Sequence, residues 1–262
     1  MKLCTFPMYD WPELKSANDA LWHETRALLS NLGIASSEDL ARDVDASDLM
    51  NSENLLFTQT CGLPLVTELA GKVQAFAAPW YEVEGGGNGT YSSAIIVRKS
   101  DPALTLPASV GYRLAFNGPG SQSGYSALRY HLQASGIAEH HFSSETKSGG
   151  HRQTVVAVAS GNADIGAIDS LCWDLAKQIE PEAVANLRVL TWTKSNPAMP
   201  YVCNKRSNLS HAQLCDVLSR AIQNLPDQTR KLLRLKGIKP CDDGFFATVK
   251  DQYEVCKHFQ MV

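Results

Sequence analysis

The chain has 262 residues, 44% of them hydrophobic and 19% charged, with a formal net charge of −3. That is an ordinary globular composition, long enough for one large or two modest domains. It lacks the basic stripe of a nucleic-acid binder, and no apolar run nears the ~20 residues of a membrane span.

The opening "KLCTFPMY" reads as a strand. "SANDALWHETRALLSNLG" reads as a helix capped by Asn18 or Ser16, with a stripe of Leu21, Trp22, Thr25, Leu28, Leu29 and Leu32, closed by Gly33. "NLLFTQT" is a second strand, "GLPLVTELAGK" a helix and "VQAFAAPWY" a third strand. The loop "EVEGGGNGT" leads to the strand "YSSAIIVRKS". From Ser100 the pattern restarts: strand "YRLAFNG", helix "SQSGYSALRYHLQASG", helix "HRQTVVAVA" stopped by Gly161, and a strand of small residues ending at Asp169. "SLCWDLAKQI" is helical, "NLRVLTWT" is a strand, and "SHAQLCDVLSRAIQNL" and "PDQTRKLLRLKGI" close the chain as helices. The cations of "TRKLLRLKGIK" (229–239) fit a solvated helix face. The alternation predicts an α/β fold with two lobes. Residues 1–98 plus 193–262 form one discontinuous lobe and 99–192 the other, and two chain crossings act as a hinge with a ligand cleft between the lobes.

The opening residues contain no continuous apolar core and no small-residue cleavage site, so no leader is expected. Seven cysteines (Cys4, Cys61, Cys172, Cys203, Cys215, Cys241 and Cys256) are an odd number with no close pairing. Both features predict reduced thiols and a cytoplasmic protein, or a periplasmic one whose leader has been removed. No C-x-x-C occurs, so no structural zinc is expected. His131, His140 and His141 read as surface residues, because adjacent histidines diverge.

The stretch "FNGPGSQSGYSALRYHL" (116–132) fails three tests. It has no Lys where a phosphate-binding loop needs one, and no Gly or Ala at the third position of a dinucleotide fingerprint. Ser121 and Tyr125 flank Ser123 where a nucleophile elbow needs glycines. What survives is a helix start bearing Ser121, Gln122, Ser123 and Gly124. Its free N–H groups and dipole favour an anion, although Ser121 can equally be a plain helix cap. A second helix start, "GGHRQ", places His151 in its first turn, able to donate to an oxyanion. Asp169 ends the next strand, where open α/β sheets meet ligands.

Together these segments, with "YSSAIIVRKSD" (91–101) and "LRVLTWTKSNPAMPYV" (187–202), resemble the substrate-binding components of phosphate/phosphonate-type ABC transporters, over nearly the whole chain. The resemblance implies the two-lobed, type II periplasmic-binding-protein fold. It matches that family's Ser-Thr-Ser anion grip to Ser121-Gln122-Ser123, with an amide in place of the central hydroxyl. It matches the family's histidine to His151 and its amine-binding acid to Asp169. It matches an aromatic ligand contact to Tyr91. From the first lobe it implies Gln59, Thr60 and Cys61 in the turn after the second strand, together with Tyr9. The expected function is a non-enzymatic binding protein for a phosphonate- or phosphate-like oxyanion, the solute-binding part of an ABC uptake system. It would need no cofactor and no metal. Its partners would be a small anion and a transporter permease, not nucleic acid. The alternatives are an enzyme on the same fold, using Cys61 or His151 on a phosphorylated or cofactor-precursor substrate, and a cytoplasmic ligand sensor.

Overall fold

The computed structural model describes residues 2–207 and 209–262. They fall into two compact units. The first runs to Glu82, takes in Gly87–Thr90 and resumes over Pro197–Ala247. The second comprises Val83–Gly86, Tyr91–Asn196 and Thr248–Val262. The structure thus divides the chain before Ser93–Arg98, not at residue 98. That strand is hydrogen-bonded on both sides to second-unit strands, Leu187–Trp192 and Ile165–Asp169. The last fifteen residues also lie in the second unit.

The first unit is built on a five-stranded sheet in the order Leu3–Thr5, Leu55–Gln59, Tyr201–Asn204, Val73–Tyr81, Leu235–Pro240. The first pair is parallel and the remaining pairs are antiparallel. All five residues of Leu55–Gln59 are buried, as their near-continuous apolar run requires. Phe57 is the centre of an aromatic cluster, with ring centroids of Phe6, Trp22, Phe76 and Tyr201 5.8–6.4 Å away. Trp22 belongs to the helix Lys15–Asn31, which buries Leu21, Thr25, Leu28 and Leu29 along with it. Leu32 lies past the last helical turn and is exposed. The expected caps give way to a 3-10 turn at Pro12–Leu14. Asn18 sits inside the helix instead, where its Nδ2 donates to Asp10 Oδ1 at 3.0 Å.

Two other expectations change. The helix after Cys61 covers only Gly62–Val66, because Thr67 leaves helical geometry and turns its hydroxyl back to the Leu63 carbonyl. The helix expected over 226–238 stops at Leu233, where Arg234 adopts the left-handed conformation (φ 55°). Leu235–Pro240 is an edge strand paired with Val73–Tyr81. No glycine announces that break, so helical spacing hides it.

The second unit's sheet has the order Leu187–Trp192, Ser93–Arg98, Ile165–Asp169, Arg113–Phe116, Ser144–Lys147. Ile95, Val97, Leu114, Ile165 and Ala167 form its floor. Tyr125, Leu128 and Leu132 cover it from one helix, with Phe259 and Met261 from the C-terminal segment. Ser144–Lys147 is an unpredicted strand: all four residues are exposed and polar, as suits an edge, and carry no apolar alternation to read. The helix Ala247–Cys256 was likewise not expected. The small-residue strand serves a packing need. A Cβ on Gly166 would lie 2.5 Å from Thr154 Cγ2 and 3.2 Å from the Ala115 carbonyl oxygen. Gly166 therefore lets the helix His151–Ala159 sit directly on the sheet.

Candidate anion-binding site

Arg113–Phe116 ends at the sheet edge that carries the loop, and Asn117–Gly120 turns into a helix of unusual pitch. Gln122–Ser126 forms a π-turn that continues as the α-helix Ala127–Ala134. Such turns recur at functional sites. Ser121 is its N-cap: its Oγ accepts from the Gly124 N–H at 3.0 Å, and the Ser126 N–H reaches its carbonyl at 3.0 Å. Ser121 is thus a cap. Gln122, Ser123 and Gly124 are buried.

The second helix start comes to the first. Ser123 Oγ and His151 Nε2 are 2.8 Å apart. Asn117 Nδ2 lies 3.5 Å from the same ring nitrogen. His151 keeps some surface as a residue, but its Nδ1 is closed to solvent. Burial lowers the imidazole pKa to about 4, against a smaller upward pull from the Ala167 carbonyl. At neutral pH the ring is therefore uncharged. Gly124 is required by close approach: a Cβ there would lie 2.0 Å from Asn117 Oδ1 and 3.2 Å from His151 Cε1. Gly150 precedes His151 as an extended N-cap, and Ser148 Oγ ties that turn to the Phe116 and Gly150 carbonyls at 3.0 and 3.1 Å.

Ser93 holds the first helix start from below. Its Oγ donates to the Ser123 carbonyl at 2.8 Å, and it pairs with Asp169 across the sheet. Asp169 is buried and caps the helix Ser170–Ile179, its Oδ1 accepting from Leu171 N and Cys172 N at 2.9 and 3.1 Å. Tyr91 is buried in the same unit. The structure brings Ser123, Gly124 and His151 together. Ser93 and Asn117 are contacts that sequence reasoning missed. Asn117 carried one usable signal, its place at the C-terminal end of a strand. Ser93 carried none beyond a polar residue in an apolar strand.

The first unit places the other expected residues within its own aromatic network. Tyr9 is buried, edge-on to Tyr81 at 5.3 Å. Gln59 Nε2 donates to the Tyr81 hydroxyl at 3.3 Å, and the Thr60 N–H to the Pro200 carbonyl at 3.1 Å. Cys61 is the N-cap of the short helix Gly62–Val66 and is partly exposed. His141, expected on the surface, is buried between Ser109 Oγ at 3.1 Å and the Leu106 carbonyl at 3.3 Å. Among the described residues no group of three or more His, Cys, Asp or Glu is placed to hold a metal ion, and no helix is long and apolar enough to cross a membrane.

Solved structures share this fold. PhnD1 from Prochlorococcus marinus (MIT 9301), in complex with methylphosphonate, superposes with a TM-score of 0.73 at 17% identity, covering 98% of each chain. A binding protein component of an ABC phosphonate transporter from Pseudomonas aeruginosa gives 0.72 at 16% identity, over 98% of this chain and 87% of that one. The periplasmic aliphatic sulphonate binding protein SsuA from Escherichia coli gives 0.60 at 16%, over 97% and 85%. The fold is the two-lobed α/β architecture of type II periplasmic binding proteins. Residues 49–253 match the family model for ABC transporter phosphonate periplasmic substrate-binding proteins, and the chain belongs to that family. No curated protein matches the sequence.

Membership corrects the expected compartment: the family is periplasmic, not cytoplasmic. The cysteines misled for a physical reason. Five of the seven thiols are buried. Burial raises the pKa of Cys4 and Cys172 well above the ordinary thiol value, and that of Cys203 to about 11. A thiol without thiolate character is inert to oxidation, so a count of such residues says nothing about redox surroundings.

Proposed function

We propose that the protein binds a small phosphonate- or phosphate-like oxyanion at the paired helix starts of its second unit and delivers it, unchanged, to an ABC-type permease. The observation that carries this reading is the 2.8 Å approach of Ser123 Oγ to His151 Nε2. It brings the first turns of two helices to one point. Each contributes outward N–H groups and the positive end of its dipole. The hydroxyl and the neutral imidazole add hydrogen bonding without charge, so the anion is held by dipoles, as in other backbone-lined anion sites. Family membership and the methylphosphonate complex of PhnD1 support the ligand class. Asp169 belongs to the reading as the partner of a cationic group on the ligand, and Tyr91 as a flanking aromatic.

The test is a calorimetric titration and thermal-shift screen with methylphosphonate, inorganic phosphate and an aminoalkylphosphonate. A ligand at 100 times its Kd stabilises the fold by about 2.7 kcal/mol. The ligand should be recovered chemically intact, and Ser123→Ala should weaken binding. An unmoved melting temperature with all three would refute the reading.

A further inference from the structure

The two helix starts carry no acidic residue in their first turns. Neither therefore sets a carboxylate of its own against an incoming anion. Two cations stand close by in the chain, Lys147 before the second helix start and Arg152 inside it, and their surroundings differ. Arg152 Nε donates to Glu180 Oε1 at 2.5 Å, and the two side chains are only 30% and 25% exposed. The charge of Arg152 is thus met by a carboxylate at the end of the helix Ser170–Ile179.

Lys147 ends the edge strand Ser144–Lys147 and is exposed. It pairs in parallel register with Phe116, so the two side chains stand on one face of the sheet. That face carries the first helix. Phe116 stacks on Tyr125 with ring centroids 4.5 Å apart, and Glu145, two residues before Lys147, accepts from the Tyr125 hydroxyl at 3.1 Å. Lys147 stands one step nearer the loop. Its Cε lies 3.7 Å from the place a Cβ on Gly118 would take. Gly118 opens the turn in which its carbonyl accepts from the Ser121 N–H at 3.0 Å. The lysine stem therefore lies along the turn that presents Ser121. Among the described residues Lys147 has no acidic partner.

We propose that Lys147 is the specificity-determining cation of the site: it attracts the oxyanion toward the Ser121 turn and favours a dianion over a monoanion. The inference rests on the oxyanion reading above and adds to it. The helix dipoles hold the anion, and the lysine supplies the one formal charge that no carboxylate has taken. An exposed ammonium on a flexible stem acts as a point charge at range. Coulomb attraction scales with the charge of the ligand, so each negative charge gains separately. A phosphonate or phosphate with two charged oxygens gains more than a sulfonate, which carries a single charge. The distinction bears on a choice this fold makes both ways, in phosphonate and in sulphonate binding proteins.

Calorimetry tests this with Lys147→Gln, Lys147→Arg and Lys72→Gln, the last a control for net charge at an exposed lysine of the first unit. The titrants are methylphosphonate at alkaline pH, where it is a dianion, and methanesulfonate, its monoanionic near-isostere. At low ionic strength Lys147→Gln should weaken methylphosphonate by about three- to tenfold and methanesulfonate by about two- to threefold. In about 0.5 M salt both losses should shrink to within about twofold. Lys147→Arg should keep the wild-type affinity within about twofold, because the charge is retained. Lys72→Gln should bind as the wild type does. All the variants should melt with the wild type, since both lysines are exposed. A merely structural role would lower the melting temperature and leave the salt dependence alone. Where methanesulfonate binds too weakly to titrate, the salt dependence with methylphosphonate decides. Unchanged methylphosphonate affinity in Lys147→Gln, a loss that Lys72→Gln reproduces, or a loss that survives high salt overturns the role of Lys147 and leaves the oxyanion reading standing. Binding of neither titrant nor phosphate by the wild type sinks the oxyanion reading, and the role of the lysine with it.

Discussion

Mild acid should loosen the second unit through one side chain. Burial holds the His151 pKa near 4, against an ordinary value of 6.5. The unfolded chain therefore takes up this proton first as pH falls. The contribution to stability is complete above pH 6.5 and is lost as pH drops toward the folded value. With those two pKa values the loss is about 2 kcal/mol at pH 5 and about 3 kcal/mol at pH 4. Burial lowers His131 and His141 as well, so the wild type alone cannot isolate the effect. Asp10 and Asp164 act at lower pH. Burial opposes the arginine contact at Asp10 but loses to it, and Arg113 chiefly holds Asp164 far below the carboxylate range. The assay is urea unfolding of wild type and His151→Gln at pH 7.5 and pH 5. The wild type should lose about 2 kcal/mol more than the variant between the two conditions. Whatever the variant costs in absolute stability drops out of that difference. Parallel losses would show that the imidazole is solvated and titrates normally.

Three further outcomes follow from the geometry. Gly124→Ala forces a Cβ to within 2.0 Å of Asn117 Oδ1 and should cost about 1–3 kcal/mol in thermal unfolding. Gly118→Ala, whose nearest neighbour is Lys147 Cε at 3.7 Å, should cost far less. Asp169→Asn keeps an acceptor for the two N–H groups it caps but removes the charge. It should weaken an aminoalkylphosphonate while leaving methylphosphonate within about twofold, as expected if the carboxylate answers a ligand amine. A thiol reagent should modify Cys61 first in the folded protein. Cys241 is also partly exposed, but its pKa is pushed up to about 12 by burial, and the other five should react only on unfolding. Rapid reaction of four or more thiols would contradict the packing.

Much of the fold is legible because its core strands are dense apolar runs and its helices carry clean stripes. Val73–Tyr81 and Ser170–Ile179 have the bounds their sequences suggest. The strands that escaped are those without an apolar signature. Ser144–Lys147 is fully polar, and Leu235–Pro240 follows a helix broken at an arginine rather than a glycine. At the site, Ser123 and His151 could be nominated from their positions at helix starts. Their contact could not, because it depends on how Gly166 seats one helix on the sheet. Asn117 and Ser93 act through neighbours nearby in space but distant in sequence, at separations of 34 and 30 residues. Local pattern carries no record of such pairs.

The sealed thiols have a consequence in time. Once the chain has folded, five of its seven cysteine sulfurs are shielded by the interior that surrounds them. Before folding, all seven are open to any oxidant. For a member of an exported family that interval falls on arrival in an oxidising space, where wrong cross-links form readily. Collapse of the two sheets, which closes five of those thiols away, is then the protein's defence against its own side chains.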